Sequence, residues 1–431
     1  MNSEWKECTL GDVVNFRRGH DLPKSKMKSG RYPVMGSNGV IGFHNEFTTK
    51  SPCVSIGRSG NVGNPKILKQ DCWAHNTTLY IDDFKGNDPL YVYYLLHRLS
   101  LANYKGGSAV PTLNRNHIHP IELSIPPLQE QKAIAHILGT LDDKIELNRE
   151  MNETLEQMAQ ALFKSWFVDF DPVFDNAIAK GNSIPDALKL KVKKRKEVIS
   201  SGNYKTLPKE IKELFPSSFE FNDELEKWIP EGWRVSTISD LADVIGGGTP
   251  STKVEEYYCE NGIPWLSPKD LSGYDWRYIS RGAKDITELG LKKSSAKLMP
   301  KGTVLFSSRA PIGYVAIAEN EISTNQGFKS LVPKSGVPSE FLFQFLKANV
   351  SAIEAIASGS TFKEVSGTAI KDFTILNSPK EILNKYELIT KEWNHRFIQL
   401  QKETDTLVKQ REVLLPQLIS GKLRVSEIFK N

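Results

Sequence analysis

From Pro126 to Phe170 the chain alternates apolar and polar positions with a helical period. Ile134, Leu138, Leu141, Ile145, Leu155 and Leu162 recur at steps of four and three, the pattern of an apolar seam on one helix face. No Gly or Pro interrupts the run after Gly139. At a rise of 1.5 Å per residue, a helix from Leu128 to Lys164 is roughly 55 Å long, too long for one ordinary domain. Asn148 and Asn152 fall on the same seam, where a polar residue costs stability but fixes register against a partner helix. The alternative is that Met151 and Met158 carry the seam and both Asn face water.

A second helical run follows Pro379. Phe397, Leu400, Leu407, Leu414 and Leu418 keep the three-four spacing, with Thr404 and Arg411 as polar breaks. Pro416 lies inside it, so a kink or boundary is expected there. Ahead of each run lies a stretch of short apolar segments, such as Cys53-Val54-Ser55-Ile56 and Thr303-Val304-Leu305-Phe306, broken by Gly, Pro, Ser and Asn. These read as short strands, with helices at Tyr91–Leu99 and Ser339–Asn349.

The two halves resemble each other. Trp5-Lys6-Glu7-Cys8-Thr9-Leu10-Gly11-Asp12 is echoed by Trp233-Arg234-Val235-Ser236-Thr237-Ile238-Ser239-Asp240, and Tyr32-Pro33-Val34 by Ile263-Pro264-Trp265. Arg58 is matched with Arg309, Asn76 with Asn325, Gly107-Ser108 with Gly359-Ser360, Ile118 with Ile370 and Pro127 with Pro379. The expected fold class is α+β: two repeated globular α/β domains separated by two long helices that form an antiparallel coiled coil. The corresponding division is a first domain over 1–125, a long helix over 126–170, a basic linker over 171–230, a second domain over 231–378 and a C-terminal long helix over 379–423. From Lys180 to Lys212 the linker is rich in lysine, including Lys191-Val192-Lys193-Lys194-Arg195-Lys196, and this stretch is read as solvated, with contact to DNA phosphates as the alternative.

Composition narrows the class. The chain has 431 residues, 39% hydrophobic and 25% charged, as expected of a multidomain globular protein. No apolar run approaches 18 residues, so no membrane span is expected, and the N-terminus lacks the pattern of a signal peptide; the expected location is the cytoplasm. Cys8, Cys53, Cys72 and Cys259 show no CxxC spacing, which argues against a disulfide framework or a zinc site. A net charge of +5 is compatible with a nucleic-acid partner.

Catalytic machinery is not visible. There is no GxxxxGK[ST] loop, and Gly246-Gly247-Gly248 is followed by Thr-Pro rather than a helix. Pro126-Pro127 lies between Ile125 and Leu128, without the polar and aromatic flanks of an amino-methyltransferase tetrapeptide. Asp186, Glu210 and Lys212 have the residue types of a metal-dependent nuclease but lie in the lysine-rich stretch, without the rigid strand pair such a site needs. His117-x-His119 has no nearby third ligand and reads as a strand edge.

Several segments resemble type I restriction-modification specificity subunits in that family's order. These are Pro126-Pro127-Leu128-x-Glu130-Gln131, Leu141-Asp142-Asp143-Lys144-Ile145, Phe167-Val168-Asp169-Phe170-Asp171-Pro172-Val173, Leu214-Phe215-Pro216-Ser217-Ser218-Phe219, Ile229-Pro230-Glu231-Gly232-Trp233 and Leu415-Pro416-Gln417-Leu418-Ile419-Ser420-Gly421-Lys422-Leu423. The resemblance implies a non-catalytic reader of double-stranded DNA with two target recognition domains and no cofactor of its own. It also implies two methyltransferase subunits that bind S-adenosylmethionine and a motor-nuclease restriction subunit, with ATP and Mg on the partners. The competing readings are a self-contained endonuclease or methyltransferase, and a coiled-coil scaffold that binds no DNA.

Polar residues beside Gly in loops are the candidates for DNA contact, since they can approach a groove closely. In the first domain these are Arg17, Arg18, His20, Ser37, Asn38, Arg58, Asn76, Lys105 and Ser108. In the second they are Thr249, Ser251, Lys269, Ser307, Ser308, Arg309, Gln326, Ser360 and Lys363. Arg58, Arg309, Asn76 and Asn325 recur in both halves and are therefore assigned to holding loops or phosphates. Arg17, His20, Ser37 and Lys269 do not recur and are the better base-reading choices.

Overall fold

The computed structural model describes residues 5–106, 111–202, 204–359 and 363–428. It divides into two compact units, residues 1–148 with 403–431, and residues 149–402. The helices Leu128–Phe167 and Lys380–Ile419 each contribute one part to the first unit and the other to the second.

In the first unit a four-stranded antiparallel sheet runs in the order Asn15–Arg18, Thr78–Asp83, Cys53–Gly57, Pro65–Leu68. A three-stranded sheet of Gly39–His44, Tyr32–Gly36 and Trp73–Ala74 lies beside it. Helix Pro89–Arg98 begins at Asp88, whose carboxylate accepts from the Tyr91 N–H at 2.9 Å. Its buried Tyr91, Val92, Leu95 and Leu96 share one core with Leu10, Phe16, Val54, Ile56, Ile134, Leu138 and Leu418. Gly139 has its place in this packing: a Cβ there would stand 2.9 Å from Leu90 Cδ2.

The second unit repeats the scheme with one more strand in each sheet and a longer helix. Ala242–Gly246, Lys329–Pro333, Val304–Phe306, Val315–Ala318 and Tyr278–Ile279 form a five-stranded sheet, next to a four-stranded one of Tyr258–Cys259, Lys284–Ile286, Ile263–Leu266 and Ser323–Thr324. Helix Ser339–Ala355 buries Phe341, Leu342, Phe343 and Leu346 against Trp166, Phe167, Tyr386 and Phe397. Both domains open alike. Thr9 and Thr237 cap a short helix with Asp12 and Asp240 in reciprocal capping boxes, and the preceding strands pair antiparallel with Glu122–Ile125 and Thr374–Asn377.

The long helices pair antiparallel within each unit. In the first, Asn148 donates to Thr404 at 3.4 Å and Arg411 to Asp142 at 2.8 Å. In the second, the rings of Trp166 and Phe167 lie 6.2 and 5.2 Å from that of Tyr386. Ile134, Leu138, Ile145, Phe397 and Leu400 are buried and Leu141, Leu155, Leu162, Leu407 and Leu414 half-buried, as the seam requires. Asn148 and Asn152 are 0% and 9% exposed, while Met151 is only half-buried and Met158 is 44% exposed, so the asparagines carry the seam. Alternating steps then run through Asn148, Asn152, Leu155, Ala159 and Leu162 to Trp166. Pro416 sets no boundary, and the helix continues to Ile419.

Residues 171–230 are more than a plain linker, although between Lys180 and Lys212 every described residue but Ile211 is exposed or half-buried, as a solvated segment requires. They form helices Asp171–Lys180 and Lys189–Ser200 and a hairpin of Phe219–Asn222 with Lys227–Pro230. Val173, Ile211 and Phe215 enter the second unit's core, and the Asn176 amide donates to the Lys212 and Phe215 carbonyls at 2.9 and 2.8 Å. His117 and His119 sit on and just after the short helix Arg115–Ile118 rather than at a strand edge, and His119 accepts from the Phe16 N–H at 3.4 Å.

Candidate nucleic-acid interface

Backbone hydrogen bonds gather five loops onto one face of the first unit. The His20 N–H donates to Ala74 O at 2.7 Å, His75 N–H to Met35 O at 2.9 Å, Arg58 N–H to Thr77 O at 2.8 Å and Leu113 N–H to Arg58 O at 2.9 Å. The same ties recur in the second unit. There Gly248 N–H donates to Thr324 O at 2.9 Å, Asn325 N–H to Leu266 O at 2.8 Å, Ser308 N–H to Gly327 O at 2.7 Å and Val365 N–H to Ser308 O at 2.9 Å. Gly19 and Gly247 let the backbones close up, since a Cβ would fall 2.1 Å from His75 O in one case and 2.0 Å from Asn325 O in the other.

These bonds fix which residues are equivalent, and they move two of the matches made from sequence. Gly63 N–H donates to Gly57 O at 2.8 Å, and Gly313 N–H to Ser307 O at 3.0 Å. Arg58 therefore corresponds to Ser308, and Ser59 to Arg309. By the same register His75 corresponds to Asn325, and Asn76 to Gln326. The sequence match had aligned identical letters across a loop whose gap it could not place. None of Arg58, Arg309, Asn76 and Asn325 recurs at its structural position, so the ground for keeping them from base reading is gone.

The candidate side chains differ in what they can reach. Arg17 is exposed and paired with Asp82, and Arg18 pairs with Asp21 at 3.3 Å. Asn76 also donates to Asp21. His20 stands between Trp73 and Tyr80, 6.0 and 5.8 Å from their rings. Asn38 and Lys105 are exposed and Arg58 is half-buried. In the second unit Thr249, Ser251, Lys269, Gln326 and Lys363 are exposed, and Thr249 donates to Gln326. Arg309 pairs with Glu364 at 2.9 Å, and Lys329 reaches the same carboxylate at 3.1 Å. Burial would raise the Glu364 pKa, but the hydrogen bonds from Lys329 and Arg309 outweigh it and hold the carboxyl below its ordinary value.

Three choices are corrected by burial. Ser37 is 7% exposed, with its N–H bound to Thr77 Oγ1. Ser307 and Ser308 are fully buried, their hydroxyls donating to Pro311 O and Gly327 O. All three hold the loops together. Ser108 and Ser360 lie outside the described residues. Asp21, Asp82 and Glu364, which orient the arginines, were missed because each lies far along the chain from at least one of its partners. No group of three or more His, Cys, Asp or Glu able to hold a metal occurs among the described residues.

Each of the two similar domains thus presents a face of loops tied together by equivalent backbone hydrogen bonds. The chain belongs to the type I restriction modification DNA specificity domain family, which it matches over residues 2–157 and 230–403. It is 29% identical to the type I restriction enzyme HindI specificity subunit of Haemophilus influenzae, over 98% of this chain and 92% of that one. Over a shorter segment, 39% of this chain and 40% of the relative, it is 46% identical to the MjaIX specificity subunit of Methanocaldococcus jannaschii. Its fold is that of the type I restriction-modification S subunit from M. genitalium, with a TM-score of 0.61 at 14% identity over 97% of this chain and 96% of that one. No helix among the described residues is long and apolar enough to cross a membrane.

Proposed function

We propose that this chain, a specificity subunit of a type I restriction-modification system, recognises a bipartite, asymmetric duplex target with one domain per half-site. The observation that carries this is the shared register of the two loop faces with different side chains at equivalent places: Arg58 against Ser308, Ser59 against Arg309, Asn76 against Gln326. A common scaffold with exchanged contacts suits two readers of different sequences. Asn and Gln amides suit adenine, and Arg suits guanine or phosphate. The long helices act as the spacer that sets the unread gap. Two methyltransferase subunits carrying S-adenosylmethionine and a restriction subunit using ATP and Mg supply the chemistry, in the cytoplasm.

The test is methylome sequencing of a host carrying this chain with its methyltransferase. A two-part motif with a fixed gap is expected, and a single uninterrupted motif overturns the reading. Asn76→Ala should relax one position in one half-site and Gln326→Ala one position in the other, each losing about 1–3 kcal/mol of discrimination. A uniform loss over all sequences assigns the residue to the backbone instead. Removing one heptad from both helices should shorten the gap, and an unchanged gap removes the spacer role.

A further inference from the structure

The helix Lys189–Ser200 lies outside both repeated domains and has no counterpart between the first domain and its helix. Its twelve residues hold five lysines and Arg195 against the single acid Glu197, a net +5 equal to that of the entire chain. Every one of those lysines is exposed, and the helix buries none of its residues fully.

Its orientation is fixed by the one basic residue that is not exposed. Arg195 donates through Nε and Nη2 to both oxygens of Asp175, each at 2.7 Å, and stands 3.4 Å from Asp171. The Tyr204 hydroxyl donates to the same Asp175 carboxylate at 2.5 Å. The Asp175 and Arg195 side chains are 6% and 16% exposed, so this is a clamp onto helix Asp171–Lys180 and not a surface pair. At 3.6 residues per turn, Lys189, Lys193 and Lys196 follow one another at i, i+4 and i+7 on the side away from Arg195. Lys193 and Lys196 have no carboxylate partner among the described residues, and Lys189 shares only the exposed Asp186.

We infer that this stripe is a second DNA contact, a sequence-independent site for the phosphates of the duplex that the loop faces read. It rests on the DNA-reading assignment above. A protein partner would need apolar, aromatic or arginine anchors, and lysine is depleted from such interfaces. Here the arginine is spent on the clamp, and beside the lysines the outward side carries Glu197 and the lone apolar Leu190, 78% exposed, which is no anchor cluster. Hydrated ammonium groups on flexible stems, two without a carboxylate partner among the described residues and the third in an exposed pair of little strength, are suited to releasing counterions from a phosphate backbone. The clamp holds them along one line without consuming their charge.

The test uses the full chain assembled with its methyltransferase subunits, a duplex carrying the mapped target and one lacking it, over a salt series. Replacing Lys189, Lys193 and Lys196 together by Gln should weaken both duplexes by a similar factor, about tenfold or more near physiological salt. The slope of log K against log salt should become shallower by about 2 to 3, at about 0.9 for each phosphate no longer neutralised. The ratio between the two duplexes should stay unchanged, and the corresponding triple Arg variant should keep the original slope. An unchanged slope in the Gln variant overturns the inference. So does failure of that variant to assemble while it melts like the original, which makes the stripe a protein-binding surface. If the unaltered complex does not prefer its mapped target, the DNA-reading assignment itself fails, an outcome separate from either.

Discussion

In the first unit the helix pair is tied to its domain through Tyr94, whose hydroxyl donates to Asp142 at 2.6 Å while Arg411 of the other helix donates to the same carboxylate at 2.8 Å. In the second unit the domain itself supplies the cation. Arg277 donates to Glu156 from Nε and Nη2 at 3.0 and 2.5 Å, with Gln344 donating to the other carboxylate oxygen at 3.1 Å. The Arg277 guanidinium is stacked between Phe397 and Phe343, 4.2 and 4.9 Å from the ring centroids. Asp142 and Glu156 stand two heptads apart on one helix, each next to a seam leucine, so the same heptad position beside the seam is used twice with different partners. Exposure separates the two ties: the Asp142 and Arg411 side chains are 29% and 33% exposed, those of Glu156 and Arg277 18% and 1%.

That difference sets unequal costs for breaking each tie. Arg277→Met should be the most damaging change, about 3–5 kcal/mol, because Glu156 is left largely buried with only the more distant Lys347, at 3.9 Å, to offset its charge. Denaturant unfolding measures it, and the double variant with Glu156→Gln should recover most of the loss. A single-variant cost below about 1 kcal/mol would show that water enters the site freely. The pH profile sharpens the same point. Burial acts to raise the Glu156 pKa, but the Arg277 charge, helped by Lys347, wins and leaves it below its ordinary value. A depressed carboxyl stabilises the fold above its unfolded-state pKa, and that stability is lost as pH falls through the folded value. The acid-side slope should therefore flatten in the double variant, and an unaltered slope would place the acid sensitivity elsewhere.

Arg411→Met should cost less, about 1 kcal/mol or below, since Asp142 keeps the Tyr94 hydroxyl and access to water. Equal losses for Arg411→Met and Arg277→Met would break the contrast between the units. The smallest pair concerns what the units share. Thr9→Ala and Thr237→Ala each remove one capping box and should cost about 1 kcal/mol apiece, by matching amounts in thermal melts. Unlike costs would show that the repeat is similar in backbone and not in energetics.

Much of the architecture was legible because it rests on local rules. The three-four spacing gave both long helices, and the echo of Trp5–Asp12 in Trp233–Asp240 gave the repeat. The equivalence of individual loop residues was not legible. Loops carry no periodicity, so the identical arginines at 58 and 309 attracted each other across a gap that only the ties at Gly57 and Ser307 could place. The lysines marked the largely exposed stretch 180–212, but not the packing around it, because Val173, Ile211 and Phe215 are scattered among charges and bury against a core built from elsewhere.

By itself the sequence determined the class of protein, the two helices, the duplication and the family motifs at its centre, all consequences of short-range pattern. Tertiary structure alone decided which loop residues share a place in the two domains, which serines are buried and which arginines already hold a carboxylate. It also turned a charge run into a directed stripe, by pairing Arg195 with Asp175 from another helix. Those outcomes depend on backbone bonds and ion pairs between residues far apart in the chain, whose partners no local spacing identifies.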